Sequence, residues 1–248
     1  MQHAYYMQQA LLAAQSYKGF TDPNPAVGAV VVQNGEVVSV GAHQQAGLPH
    51  AEVMALRDIS DASDAVLYVT LEPCCHHGKT PPCTDLIIAK NIKHVYFAYL
   101  DPNPEVAGNG CALLLRAGVA CEQLPTPEVD LFYREYAHWV KKQRPWVTAK
   151  IAVTADGFIA AAGGAPLVIT GNEAQQYTHL RRKHSSALMT SVQTIINDNP
   201  AFNVRLGGEC IKKPLLVLDR RGRMPADSQV LKSTGPVFRL HAKGLDND

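Results

Sequence analysis

The chain has 248 residues and a formal net charge of +1, with 46% apolar and 18% charged residues. That length suits two modest domains, and the apolar content excludes a disordered chain. So balanced a charge leaves no basic footprint for a long phosphate backbone, which argues against nucleic acid but not against a small substrate carrying one phosphate. The first twenty residues lack a basic start followed by an apolar run, and no stretch of about 18 apolar residues occurs, so a soluble, cytoplasmic protein with no membrane partner is expected. Of six cysteines, Cys74, Cys75 and Cys83 crowd together beside two histidines. In a reducing compartment that pattern reads as metal binding rather than disulfides.

Periodicity predicts a helix over 4–17, closed by Gly19. Two apolar runs, Val27–Val32 and Glu36–Val40, flank Asn34-Gly35, the strongest short-range hairpin signal. A helix over 51–57, a strand over 65–71, a helix over 84–90, a strand over 94–99, a helix over 110–117 and a strand over 119–124 follow. A hairpin followed by such alternation implies a helix-sheet-helix sandwich with a mostly parallel later part. After Pro125-Thr126-Pro127 comes a helix over 128–142, then Lys141-Lys142-Gln143-Arg144-Pro145, a polar, basic break that sets the expected domains at 1–144 and 145–248. In the second, a strand over 146–153, a helix over 173–183 and strands at 187–189 and 214–219 are expected, an unfinished α/β series.

The chemistry concentrates in His50-Ala51-Glu52, Pro73-Cys74 and Cys83. Catalytic zinc takes three protein ligands of N and S type and leaves a fourth position to water, and His50, Cys74 and Cys83 meet that count. Bound zinc lowers the pKa of water from about 16 to about 7, and a carboxylate that is not a ligand must then carry the proton. Glu52 is placed for that role, because zinc deaminases of bases pair H-x-E with P-C-x-x-C. Here eight residues separate the two cysteines. A closed structural zinc knot is the bland alternative, but it normally has four ligands and no need of an unliganded carboxylate. A base deaminase acting on RNA or DNA is the other, disfavoured by charge and spacing. Cys75, adjacent to Cys74, is expected to point away from the metal, and Cys111, Cys121 and Cys210 read as ordinary buried residues.

Four segments carry a more specific resemblance: Asn24–Gly28, His50–Val53, Thr70–Cys83 and Asp101–Gly108. With His76-His77-Gly78-Lys79-Thr80-Pro81-Pro82 between the cysteines, the chain resembles the bifunctional riboflavin-biosynthesis deaminase/reductase family, more specifically before Arg144 than after. The resemblance implies a three-layer α/β/α cytidine-deaminase-like domain followed by a partial dihydrofolate-reductase-like α/β domain. It implies deamination of 2,5-diamino-6-(5-phosphoribosylamino)pyrimidin-4(3H)-one to the aminouracil, then reduction of the ribosyl group with NADPH. His76 and Lys79 offer charge for the phosphate. Asn24, His43, Asp101 and Asn103 serve as polar readers of ring and ribose, although Asn24 and Asn103 precede prolines and suit plain turns. In the second domain the resemblance assigns Val153, Val168, Thr194 and Asp198 to NADPH and Arg182 and Arg205 to substrate, with Thr170 alongside. There the pattern is broken at Asp156-Gly157-Phe158 and at Pro166–Thr170, and the family's late glycine-rich segment does not precede the last residue, Asp248. An active deaminase, an impaired reductase and a homo-oligomer are therefore expected.

Overall fold

In the computed structural model, which describes residues 2–76, 81–104, 106–164 and 167–242, Asn34-Gly35 joins strands β1 (Gly28–Gln33) and β2 (Glu36–Ala42). Both turn residues take positive φ, 53° and 81°. A two-residue hairpin needs that geometry to match the twist of its strands, and Asn and Gly adopt it at little cost. β3 (Val66–Leu71) pairs antiparallel with β1, and β4 (His94–Tyr99) and β5 (Ala120–Gln123) then run parallel to it. The sheet order is β2-β1-β3-β4-β5.

Along β1 the pleat sends Ala29 and Val31 to one core and Val30 and Val32 to the other. The first core takes in Ala51, Ala55, Ile87 and Leu114 from helices α2 (Ala51–Leu56), α3 (Cys83–Ala89) and α4 (Asn109–Arg116). The second takes in Met7, Ala10, Val129 and Tyr133 from α1 (Gln2–Tyr17) and α5 (Pro127–Lys142). Helices on both faces of one sheet make the three layers that the sequence implied. α2 approaches β2 at Gly41, where a Cβ would sit 2.3 Å from both the Ala51 oxygen and the Ala55 nitrogen. Only glycine permits that contact, and α2 is the helix with His50 at its N-cap and Glu52 in its first turn.

The chain divides into two compact units, Met1–Val147 and Thr148–Asp248. In the second, α6 (Asn172–Lys183) precedes β6 (Leu188–Ser191) and α7 (Val192–Asp198). A ribbon, β7 (Val204–Leu206) with β8 (Glu209–Ile211), leads to β9 (Leu215–Leu218), α8 (Val230–Ser233) and β10 (Val237–Leu240). β10, β9 and β6 form a parallel sheet in that order around Val192, Ile195, Leu215, Val217, Met224 and Val230. The strand expected over 146–153 is not formed: the segment is irregular, and Val147, Ile151 and Val153 are exposed. Its apolar pattern suits a strand, but no described strand lies alongside to complete its hydrogen bonds, and a strand exists only as part of a ladder. Cys210, expected to be buried, is exposed on β8. Among the described residues no helix is long and apolar enough to cross a membrane.

Candidate metal centre and active site

The end of β3, the N-cap of α2 and the start of α3 meet at one place. His50 Nδ1 lies 3.3 Å from Cys83 Sγ and 3.4 Å from Cys74 Sγ. The Cys83 amide donates to Cys74 Sγ at 3.3 Å, and the Thr84 amide to the Cys74 carbonyl at 3.2 Å. Zn–N and Zn–S bonds of about 2.0 and 2.3 Å in tetrahedral array would hold such atoms about 3.5–3.8 Å apart. The three donors therefore fit zinc, and His50, Cys74 and Cys83 form a group able to hold a metal among the described residues. Cys75 is not part of it.

Charge in the cluster is unevenly placed. A hydrogen bond from the Cys83 thiol, aided by His50, draws Cys74 down to about 4 despite its burial. The hydrogen bond to Cys74, together with burial, pushes Cys83 well above its ordinary range. The hydrogen bond to Cys74 raises His50. Glu52 is buried at 3% exposure, and that burial, with the Cys74 charge adding to it, pushes its carboxyl up to about 7.

His43, also buried, stands edge-on to His50 with ring centroids 5.4 Å apart. Its Nδ1 lies 3.1 Å from the Pro49 carbonyl, which can only accept, so the proton sits on Nδ1. Nε2 is then the acceptor for the Asn24 amide at 3.1 Å. Burial lowers the pKa of His43, in keeping with a neutral ring. Asp101 is buried and accepts from the Asn103 amide at 2.9 Å, and burial raises its pKa while His76 opposes the rise. His76 Nδ1 is buried with no hydrogen-bond partner among the described residues. Of the expected site residues, Asn24, His43, His50, Glu52, Cys74 and Cys83 are thus joined by direct contacts, and Asp101 lies within electrostatic reach of Cys75 and His76. Lys79 lies outside the described residues.

Sequence reasoning missed the residues that hold this site from behind. Glu72, buried, accepts from the Gly108 amide at 2.9 Å and the Cys111 amide at 3.1 Å, tying the end of β3 to the start of α4. A carboxylate in an otherwise apolar strand end was the available signal. Tyr133 and Tyr136 on α5 also reach the site, and nothing local in their helix marks them.

In the second unit Arg182 and Arg205 converge on Asn203. The Arg182 guanidinium donates to the Asn203 carbonyl at 3.2 Å, and that of Arg205 donates to the Asn203 side-chain oxygen. Among the described residues neither arginine is ion-paired. Thr194 and Asp198 lie on α7, with Asp198 exposed. Val153 and Val168 are 52% and 85% exposed on separate irregular stretches, and Pro166 lies outside the described residues. The structure thus brings the two arginines together on Asn203.

A hairpin-led sheet with His-x-Glu opening one helix and a Cys pair at the next strand end defines a zinc deaminase domain, here joined to a second α/β unit. Residues 1–99 match the profile of the cytidine and deoxycytidylate deaminase zinc-binding region, and residues 145–243 match the RibD C-terminal domain. The chain is 44% identical to riboflavin biosynthesis protein RibD of Actinobacillus pleuropneumoniae, over 98% of this chain and 65% of that protein. It is 42% identical to the Escherichia coli RibD, over 96% of this chain and 69% of the relative. A solved structure from Thermotoga maritima, a diaminohydroxyphosphoribosylaminopyrimidine deaminase/5-amino-6-(5-phosphoribosylamino)uracil reductase, superposes with a TM-score of 0.90 at 35% identity, covering 100% of this chain and 72% of that one. This chain belongs to the RibD family of riboflavin biosynthesis proteins. It spans just under two thirds of the length of the Actinobacillus relative. Zinc and a nicotinamide cofactor are the groups that the two matched domains call for.

Proposed function

We propose that the first unit hydrolytically deaminates 2,5-diamino-6-(5-phosphoribosylamino)pyrimidin-4(3H)-one to 5-amino-6-(5-phosphoribosylamino)uracil, with His50, Cys74 and Cys83 as zinc ligands. The observation that carries this reading is Glu52, a buried carboxyl held beside a three-donor metal cluster without being one of its donors. Zinc held there supplies a Lewis acid that lowers the pKa of water to about 7. Glu52 accepts the proton of the attacking water and passes it to the ring nitrogen. The hydroxyl left on the ring carbon then loses its proton through Glu52 to the departing amine, so that water and the aminopyrimidine become carbonyl and ammonia. A carboxyl outside the donor set can accept a proton and then donate it, which this relay requires. A structural zinc site would have no use for it.

Around the reacting carbon, the neutral His43 holds Asn24 by its side-chain amide, which leaves the Asn24 side-chain carbonyl as the acceptor for the ring's amino groups. Asp101 and Asn103 read the ribose side, and His76 and Lys79 take the phosphate. The unpartnered, buried Nδ1 of His76 supports a ligand atom at that place. In the second unit Arg182 and Arg205, which make no ion pair among the described residues, suit the anionic tail of the aminouracil product, with NADPH as reductant and Thr194 and Asp198 near it. A cytoplasmic, self-associating enzyme completes the reading. The test is ammonia release from the phosphoribosylaminopyrimidine by the zinc-loaded chain. Release that depends on enzyme and on Glu52 supports the reading, and its absence from fully zinc-loaded protein would overturn it.

A further inference from the structure

α5 lies beyond the matched deaminase region, which ends at residue 99, and before the reductase domain, which begins at 145. It is nevertheless built into the back of the deaminase site. The helix is securely started, with Thr126 Oγ1 accepting from the Val129 amide, Pro127 in its first turn and Glu128 and Asp130 beside its N-terminus. Its outer edge is pinned by Lys18, which pairs with Glu135 at 2.8 Å and donates to the Phe132 carbonyl at 3.2 Å.

Two tyrosines three residues apart, hence neighbours on one helix face, reach the two loops that carry the proposed substrate readers. Tyr133 is 1% exposed, and its hydroxyl donates to the Ala26 carbonyl at 2.9 Å. Because that proton is committed, the 2.6 Å contact with Thr70 must be donated by the threonine hydroxyl. Thr70 in turn accepts from the Gly28 amide at 3.1 Å. The chain of donors is closed, and it fixes the backbone two residues after Asn24. One turn further on, the Tyr136 hydroxyl donates to Asp101 Oδ1 at 3.2 Å, the same oxygen that accepts from the Asn103 amide. The carboxylate thus has two donors on one side, one from its own loop and one from α5.

We infer that α5 braces the deaminase cleft and that Tyr136 is a positioning residue, holding Asp101 and the Asn103 turn at the distance from the metal cluster that the substrate requires. The inference rests on the deaminase reading above. It differs from ordinary helix packing in what it says of the Tyr136 hydroxyl, because ring burial and the Lys18 anchor hold α5 without that oxygen.

Tyr136→Phe removes only the oxygen. In the zinc-loaded full chain we expect KM for the phosphoribosylaminopyrimidine to rise about 3–10-fold, the order expected for one lost hydrogen bond of ordinary strength, with kcat within about twofold. In an Asp101→Ala background the same change should add less than about 1.5-fold, because partners in one network are not additive. An unchanged KM, or an equal rise in both backgrounds, overturns the inference. Amide hydrogen exchange of Asn103, measured without substrate, is a second readout and does not depend on turnover. Faster exchange in Tyr136→Phe than in wild type supports the brace, and equal exchange overturns it. A wild-type chain that releases no ammonia while the exchange effect is present would count against the deaminase reading alone.

Discussion

Asn24 and His43 meet through an amide-to-imidazole hydrogen bond of 3.1 Å, and His43 is fixed from its other side by the Pro49 carbonyl, also at 3.1 Å. Pro49 immediately precedes His50, so the proposed substrate reader and the proposed zinc ligand share one support. A neutral His43 keeps positive charge away from the zinc cluster. Asn24→Ala should therefore leave zinc content unchanged and raise KM about 5–10-fold, the loss of one hydrogen bond worth about 1–1.4 kcal/mol. Steady-state kinetics with metal analysis on the same sample checks both halves of that expectation.

Zinc should bind at one equivalent per chain. Elemental analysis of Cys83→Ser should show loss of the metal, because Cys83 lies within the donor cluster, whereas Cys75→Ser should retain it, since Cys75 lies outside. Equal loss in the two variants would refute the ligand assignment.

Glu52→Gln preserves shape and removes the titrating oxygen. Zinc and melting temperature should stay near wild type while turnover falls by about 10²–10⁴-fold, the usual contribution of a general acid–base. Near wild-type ammonia release by the zinc-loaded variant would assign proton transfer to another group.

Gly41→Ala tests how β2 sets α2. The added methyl would meet backbone atoms at 2.3 Å, and backbone cannot rotate out of the way as a side chain can. A destabilisation of about 1–3 kcal/mol, typical of an overpacked core, should come with weaker zinc retention against a chelator. Gly171→Ala, where the new Cβ meets nothing within 4 Å, should do neither. Denaturant titration with and without chelator reads both effects.

For the second unit, failure is the expected outcome. Hydride transfer needs nicotinamide and the ribose carbon held in near-attack geometry. The positions assigned to the cofactor, Val153 and Val168, are 52% and 85% exposed on irregular backbone. Incubation of the aminouracil product with NADPH and this chain alone should give no enzyme-dependent loss of reduced-cofactor absorbance. Stoichiometric oxidation coupled to ribityl formation would show the opposite.

The first unit was legible because its signals are local. Asn34-Gly35 prescribes a turn by its own backbone preferences, strands β3 and β4 are predominantly apolar runs, and His50, Glu52, Cys74 and Cys83 carry their chemistry in residue type and spacing. Spacing could not decide which nitrogen of His43 is protonated, or that Glu72 ties β3 to α4. Those depend on burial and on partners far apart in sequence, 107 residues in the case of Tyr133 and Ala26. The second unit shows the limit from the other side. Trp146–Val153 has the composition of a strand, yet its fate depends on an edge to pair with, and a pairing edge is a property of tertiary structure. Nothing local in the sequence joins Arg182 and Arg205, which only the family resemblance paired, and the folding of β7 against α6 sets both guanidinium groups on Asn203.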